Sequence, residues 1–114
     1  MILYKITPKD RTITQHEYDG EYETMKPLLK YEWWDIAHLN SRGDAVMVND
    51  TGLIDDIEGT DGAWHWLHDN GRWQKFVGDA LLFGTDGPDN ANPTLTLDQV
   101  RARIAFAQQM ELSA

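Results

Sequence analysis

His65 and His68 stand three residues apart and Asp69 follows directly, a spacing that could carry two imidazoles to one metal ion. On a helix, positions three apart share a face, so both rings could reach a bound metal. The pattern lacks the intervening Glu and the helical setting of a zinc-protease motif. No third ligand stands at a telling distance, although His16, His38 or an acid could be brought near by folding. The competing reading is two ordinary histidines beside a tryptophan cluster, and no metal or cofactor is expected.

A second cluster is acidic: Asp55, Asp56, Glu58 and Asp61, interleaved with Gly59 and Gly62. A calcium loop needs ligands at alternate positions and a bidentate Glu at its end, and here the register fails. The stretch reads as a solvated acidic loop. Nucleophilic catalysis has little support. Serine occurs only at Ser41 and Ser113, and there is no Gly-x-Ser-x-Gly elbow. Gly84-Thr85-Asp86-Gly87 lacks the Lys-Ser/Thr ending of a phosphate loop. Carboxylate pairs are numerous, but an acid-rich chain supplies them by chance. The chain is read as a non-enzyme.

Aromatic residues offer a different chemistry. Five tryptophans occur, all between Trp33 and Trp73. Large aromatic side chains mark either a core or a contact surface. Trp64 and Trp66 flank His65. On a strand they share a face and form a two-ring platform suited to stacking a base. On a helix one ring points in and the other out. Trp33 and Trp34 split across a strand, so one of them, together with Trp73, is expected in the core. Trp64 or Trp66 is the expected exposed contact, with His65 and the acids Asp55, Asp56, Glu58 and Asp61 around it.

These groups need a scaffold. Residues 2–7 and 12–18 read as paired strands around a Pro8 turn. A short helix over 25–31 follows, with Thr24 as N-cap and Pro27 in its first turn; the competing reading is a helix from Glu21 kinked at Pro27. Trp33 to Leu39 reads as a strand, and Ala45 to Val48 as a continuously apolar, buried one. Asn49-Asp50-Thr51-Gly52 is a turn signal, after which Leu53-Ile54 can start a returning strand. Residues 63–68 read as a short helix or irregular segment, with a strand as the alternative. Asp69-Asn70-Gly71 turns the chain into Arg72 to Phe76. A last buried strand runs between Gly78 and Gly84, and 85–93 reads as a loop. Thr96 with Gln99 forms a capping box, and Leu97, Val100, Ile104 and Ala107 recur at helical spacing. A C-terminal helix over about 97–111 is expected to cover one face of the sheet. The fold class is therefore α+β, one domain over 1–114, with a mainly antiparallel, curled sheet of five or six short strands.

The bulk properties limit the partners. The chain has 114 residues, no cysteine, and 19 acidic against 10 basic residues, a net charge of -9. Absence of cysteine excludes disulfides, thiolate metal sites and a cysteine nucleophile. The acidic balance argues against binding nucleic acid through its phosphates and favours a basic partner. No apolar run is long enough to cross a bilayer, and Met1 to Ile6 lacks the features of a signal peptide, so the expected location is the cytoplasm.

The order of elements resembles a small domain of unknown function found mostly in bacteriophages and mobile elements. The likeness rests on the leading strand pair, the short helix, the apolar strand ending in Asn49-Asp50-Thr51-Gly52, the Gly78 to Gly84 strand, and the Thr96-Leu97 helix start. It covers most of the chain except about 55–76, where the tryptophan-rich stretch departs from the shorter connection of that pattern. It implies a phage or prophage accessory protein and carries over no catalytic residue. The leading functional expectation is thus a cytoplasmic binding protein that engages a basic host protein, in one version a counter-defence mimic of nucleic acid. A nucleotide or small-molecule sequestering module is the alternative, and a metal-dependent hydrolase using His65 and His68 the second.

Overall fold

The computed structural model describes residues 1–29, 34–49 and 62–106. Among them the chain forms mostly antiparallel sheet with two short helices. Strands β1 (Ile2–Thr7) and β2 (Thr12–Glu17) form the expected hairpin, in register from Ile2 opposite Glu17 to Thr7 opposite Thr12. Strands β3 (Trp34–His38) and β4 (Asp44–Asn49) form a second hairpin. Strands β5 (Ala63–Leu67) and β6 (Trp73–Val77) form a third. Strand β7 (Ala80–Asp86) runs through the middle of the larger sheet, whose order is β2-β1-β7-β4-β3. Its end folds back as β8 (Asp89–Ala91). A separate three-stranded sheet has the order β6-β5-β9, where β9 is Ile104–Phe106.

Alternation along the strands builds two cores. Tyr4, Ile6, Val46, Ala80 and Leu82 point to one face of the larger sheet and meet Trp64, Trp66, Phe76, Ile104 and Phe106 of the smaller one. Leu3, Ala45, Met47, Leu81 and Phe83 point to the other face, where Met25 and Leu29 cover them. β7 is buried on both faces, which explains its nearly unbroken apolar run. The molecule is thus two sheets packed together, with a helical segment on the far side, in place of the single curled sheet expected.

Four local expectations are corrected. The first helix, α1, covers Tyr22–Met25 and passes into a 3-10 turn at Lys26–Leu28, close to the Pro27-kinked alternative. Thr24 is not its cap: the Thr24 hydroxyl donates to Asp19 and to the Glu21 carbonyl, while Asp19 also accepts the Glu21 N–H. Residues 63–67 are a strand, because both of their neighbours offer backbone partners. The stretch 85–93 contains a hairpin turned at Gly87, whose φ of 60° followed by Pro88 suits a type II′ turn. The C-terminal helix α2 is only Leu97–Ala102. Its capping box forms as expected, but the chain then extends into β9. Ile104 and Phe106 satisfy a strand period as well as Ile104 satisfies the helical one, and pairing with β5 decides between them. Trp33, the returning strand at 53–54, the acidic stretch 55–61 and the expected helix end at 107–111 lie outside the described residues.

Candidate functional site

The smaller sheet sorts the singled-out residues by face. Trp64 and Trp66 point inward and are 0% and 1% exposed. Trp64 stacks on Phe76 with ring centroids 4.7 Å apart, and its indole N–H donates to the Gly78 carbonyl at 3.2 Å. The expected contact pair is therefore core, and the two-ring stacking platform does not stand on the surface. Register places Trp73 opposite Leu67 and Lys75 opposite His65, so these four share the outward face. Trp73 is 43% exposed, the reverse of its expected burial. The strand period that hides Trp64 and Trp66 displays the residues between them.

His65 lies on that outward face, half-buried, with Nδ1 shielded and without a hydrogen-bond partner among the described residues. Burial pushes its pKa down and the Lys75 ammonium adds to the shift, while the Ala105 backbone opposes it. His68 follows the strand end and faces elsewhere. Its Nδ1 lies 3.2 Å from the Leu39 carbonyl and its Nε2 2.7 Å from Gln74 Oε1. Both ring nitrogens thus lie within hydrogen-bond distance of a neighbour, which fixes the ring's position. The two rings do not converge: His65 lies on the outward face of β5, whereas His68, past the strand end, turns to Leu39 and Gln74. Among the described residues no three His, Asp or Glu side chains come together to hold a metal. Asp55, Asp56, Glu58 and Asp61 lie outside the described residues.

Asp69 plays a part that the sequence did not reveal. Its carboxylate pairs with Arg42 at 3.1 Å and with Arg103 at 3.0 Å, joining the β3–β4 turn, the β5–β6 turn and the end of α2. Arg42 also reaches the Thr94 hydroxyl. Thr94 in turn bonds the fully buried Asp44, through its N–H at 2.7 Å and through its hydroxyl, and Asn40 donates to the same carboxylate at 2.8 Å. This polar chain fastens one end of the two-sheet stack. Its role is positional: each charged group already has its partner.

The acidic character shows elsewhere, in an open cleft of about 250 Å³ between the α1 entry and the β7–β8 hairpin. Asp19, Glu21 and Asp89 line it beside Tyr22 and Pro88, and its lining includes no Lys or Arg. Tyr22 is fixed by an edge-on contact with Phe83, ring centroids 6.0 Å apart. Asn90 closes the base by donating to the Gly20 carbonyl at 2.8 Å. The Thr24 hydroxyl, and next the Glu21 N–H, hold the Asp19 carboxyl below its ordinary pKa. Two readings of the sequence border this cleft, the strand that ends at residue 18 and the loop over 85–93. Nothing in the sequence brings those two places together.

No family model, no curated protein and no solved structure matches this chain.

Proposed function

We propose that this chain is a non-enzymatic binding protein whose acidic surface engages a basic protein partner. The observation that carries the reading is the cleft in which Asp19, Glu21 and Asp89 stand around Tyr22 with no Lys or Arg side chain in the lining, the Met1 ammonium being the one positive group at its border. A Lys or Arg side chain suits such a place, because carboxylates supply the counter-charge and an aromatic ring the stacking surface. Trp73 supports the reading as an exposed aromatic of the kind that anchors interfaces. In the version that the resemblance to phage-associated domains suggests, the partner is a host protein and the acidic surface stands in for nucleic acid in its basic groove.

The test is capture of partners by the purified protein at low and high salt, followed by affinity measurement with the captured protein. Glu21→Lys with Asp89→Lys reverses two exposed charges and leaves Asp19 to organise its turn. The expected result is a salt-sensitive basic partner whose affinity falls at least about tenfold in the double variant, roughly 1.4 kcal/mol. A partner bound equally by the double variant, or bound without salt dependence, refutes the charge-based reading.

A further inference from the structure

Among the described residues β3 is an edge of the larger sheet, and its hydrogen-bonding phase can be read from two contacts. Leu39 gives its N–H to the Asp44 carbonyl of the neighbouring strand at 2.9 Å. Ile36 gives its N–H to the Asp35 side chain beside it, also at 2.9 Å. In an antiparallel pair, residues bonded to the neighbour alternate with residues whose backbone groups point away. Asp35 and Ala37 therefore bond β4, while Trp34, Ile36 and His38 direct their N–H and C=O groups to the side that no described strand occupies. Ile36 is 38% exposed, one of the few large apolar side chains left in water among the described residues.

We propose that β3 is a self-pairing edge guarded by Asp35, and that its occupant is a second copy of this chain. A two-fold axis at Ile36 brings two β3 strands together antiparallel in the right phase. Ile36 then faces Ile36, and each Trp34 faces a His38 of the other copy. Each Asp35 faces an Ala37, so no like charges meet directly across the pair. The three outward residues of each strand exchange backbone bonds, and the central aliphatic pair and the flanking aromatic pairs are of the kind that stabilises a sheet. Such a pairing closes on itself and does not propagate. In the isolated chain the Asp35 carboxylate occupies the central Ile36 N–H and places a charge at the edge, a device that discourages strand addition. The acidic chain also repels its own copy at long range, which salt screens.

Sedimentation velocity over a concentration series, with wild type, Asp35→Ala and Asp35→Ala/Ile36→Lys, tests this. Asp35→Ala is expected to dimerise at least about tenfold more tightly than wild type, and more so as salt is raised. Ile36→Lys sets two cations opposite each other and returns the protein to monomer. Amide exchange gives an independent readout that reports folding as well: Ile36 becomes protected in the Asp35→Ala dimer, while the Leu81 and Leu82 amides of the central strand keep wild-type protection in every variant. A monomeric Asp35→Ala protein, a dimer indifferent to Ile36→Lys, or open-ended aggregation overturns the proposal.

Discussion

Replacing Trp64 by Ala separates the two roles that a tryptophan can have in this chain. The ring is fully buried, stacks on Phe76 at 4.7 Å, and donates to the Gly78 carbonyl. Truncating a buried Trp costs about 3–5 kcal/mol through lost transfer energy and the cavity left behind. The stacked pair adds about 0.5–1.5 kcal/mol, and the Gly78 carbonyl loses a donor. The sum approaches the whole stability of a typical domain, about 5–15 kcal/mol. Trp73→Ala removes a ring that is already 43% exposed and makes none of these bonds, so it should cost under about 1 kcal/mol. Urea unfolding followed by far-ultraviolet circular dichroism measures both on one scale. The expected order is a Trp64→Ala protein that is unfolded or barely folded without denaturant, Trp64→Phe between, and Trp73→Ala close to wild type. A Trp64→Ala protein within about 1 kcal/mol of wild type, at unchanged denaturant slope, refutes the assignment of this ring to the core.

The remaining predictions concern single groups. Gly84→Ala should destabilise strongly, because an added methyl would lie 2.1 Å from the Asn92 carbonyl oxygen; thermal melting checks this. Gly43→Ala carries a similar conflict, 2.3 Å from the Thr85 carbonyl oxygen at a φ of 103°, and its melting point should also fall. Asp44→Ala should cost about 1–3 kcal/mol, since the Thr94 and Asn40 donors lose their shared, fully buried acceptor; chemical denaturation measures it. His65 has a folded pKa below its unfolded value of about 6.5. As pH falls below that value the unfolded chain takes up the proton first, so stability drops with acid over that window. His65→Gln should flatten this part of the pH–stability profile, and an unchanged profile counts against the assignment.

Much of the larger sheet was legible from local signals. Ile2 to Glu17 carries alternation and a Pro8 turn, and the hairpin follows. Ala45 to Val48 is continuously apolar because residues on both faces are needed for the two cores. Thr96 and Gln99 cap a helix because the cap is a contact between neighbours in sequence. What escaped was set by partners distant in the chain. Asp69 gives no local sign that Arg42 and Arg103 converge on it, and the acidic cleft joins turns that alternation alone cannot bring together.

The misplaced contact surface has the same origin. Residues 63–67 and 104–106 each carry a helix-compatible pattern, and these two segments are hydrogen-bonded to one another, Trp64 opposite Phe106 and Trp66 opposite Ile104. Either segment alone is ambiguous, since a short apolar stretch fits both periods. Together they define a sheet whose inner face must hold Trp64, Trp66, Ile104 and Phe106 at once, because pairing fixes all four on the same side. Once that face meets Tyr4, Val46 and Leu82 of the larger sheet, the tryptophans flanking His65 can no longer be a surface. The exposed aromatic then has to come from the alternate positions, and Trp73 is the one that register provides. The exposed aromatic surface therefore lies on the outward face of β6, and the exposed acids gather in a cleft that no tryptophan lines.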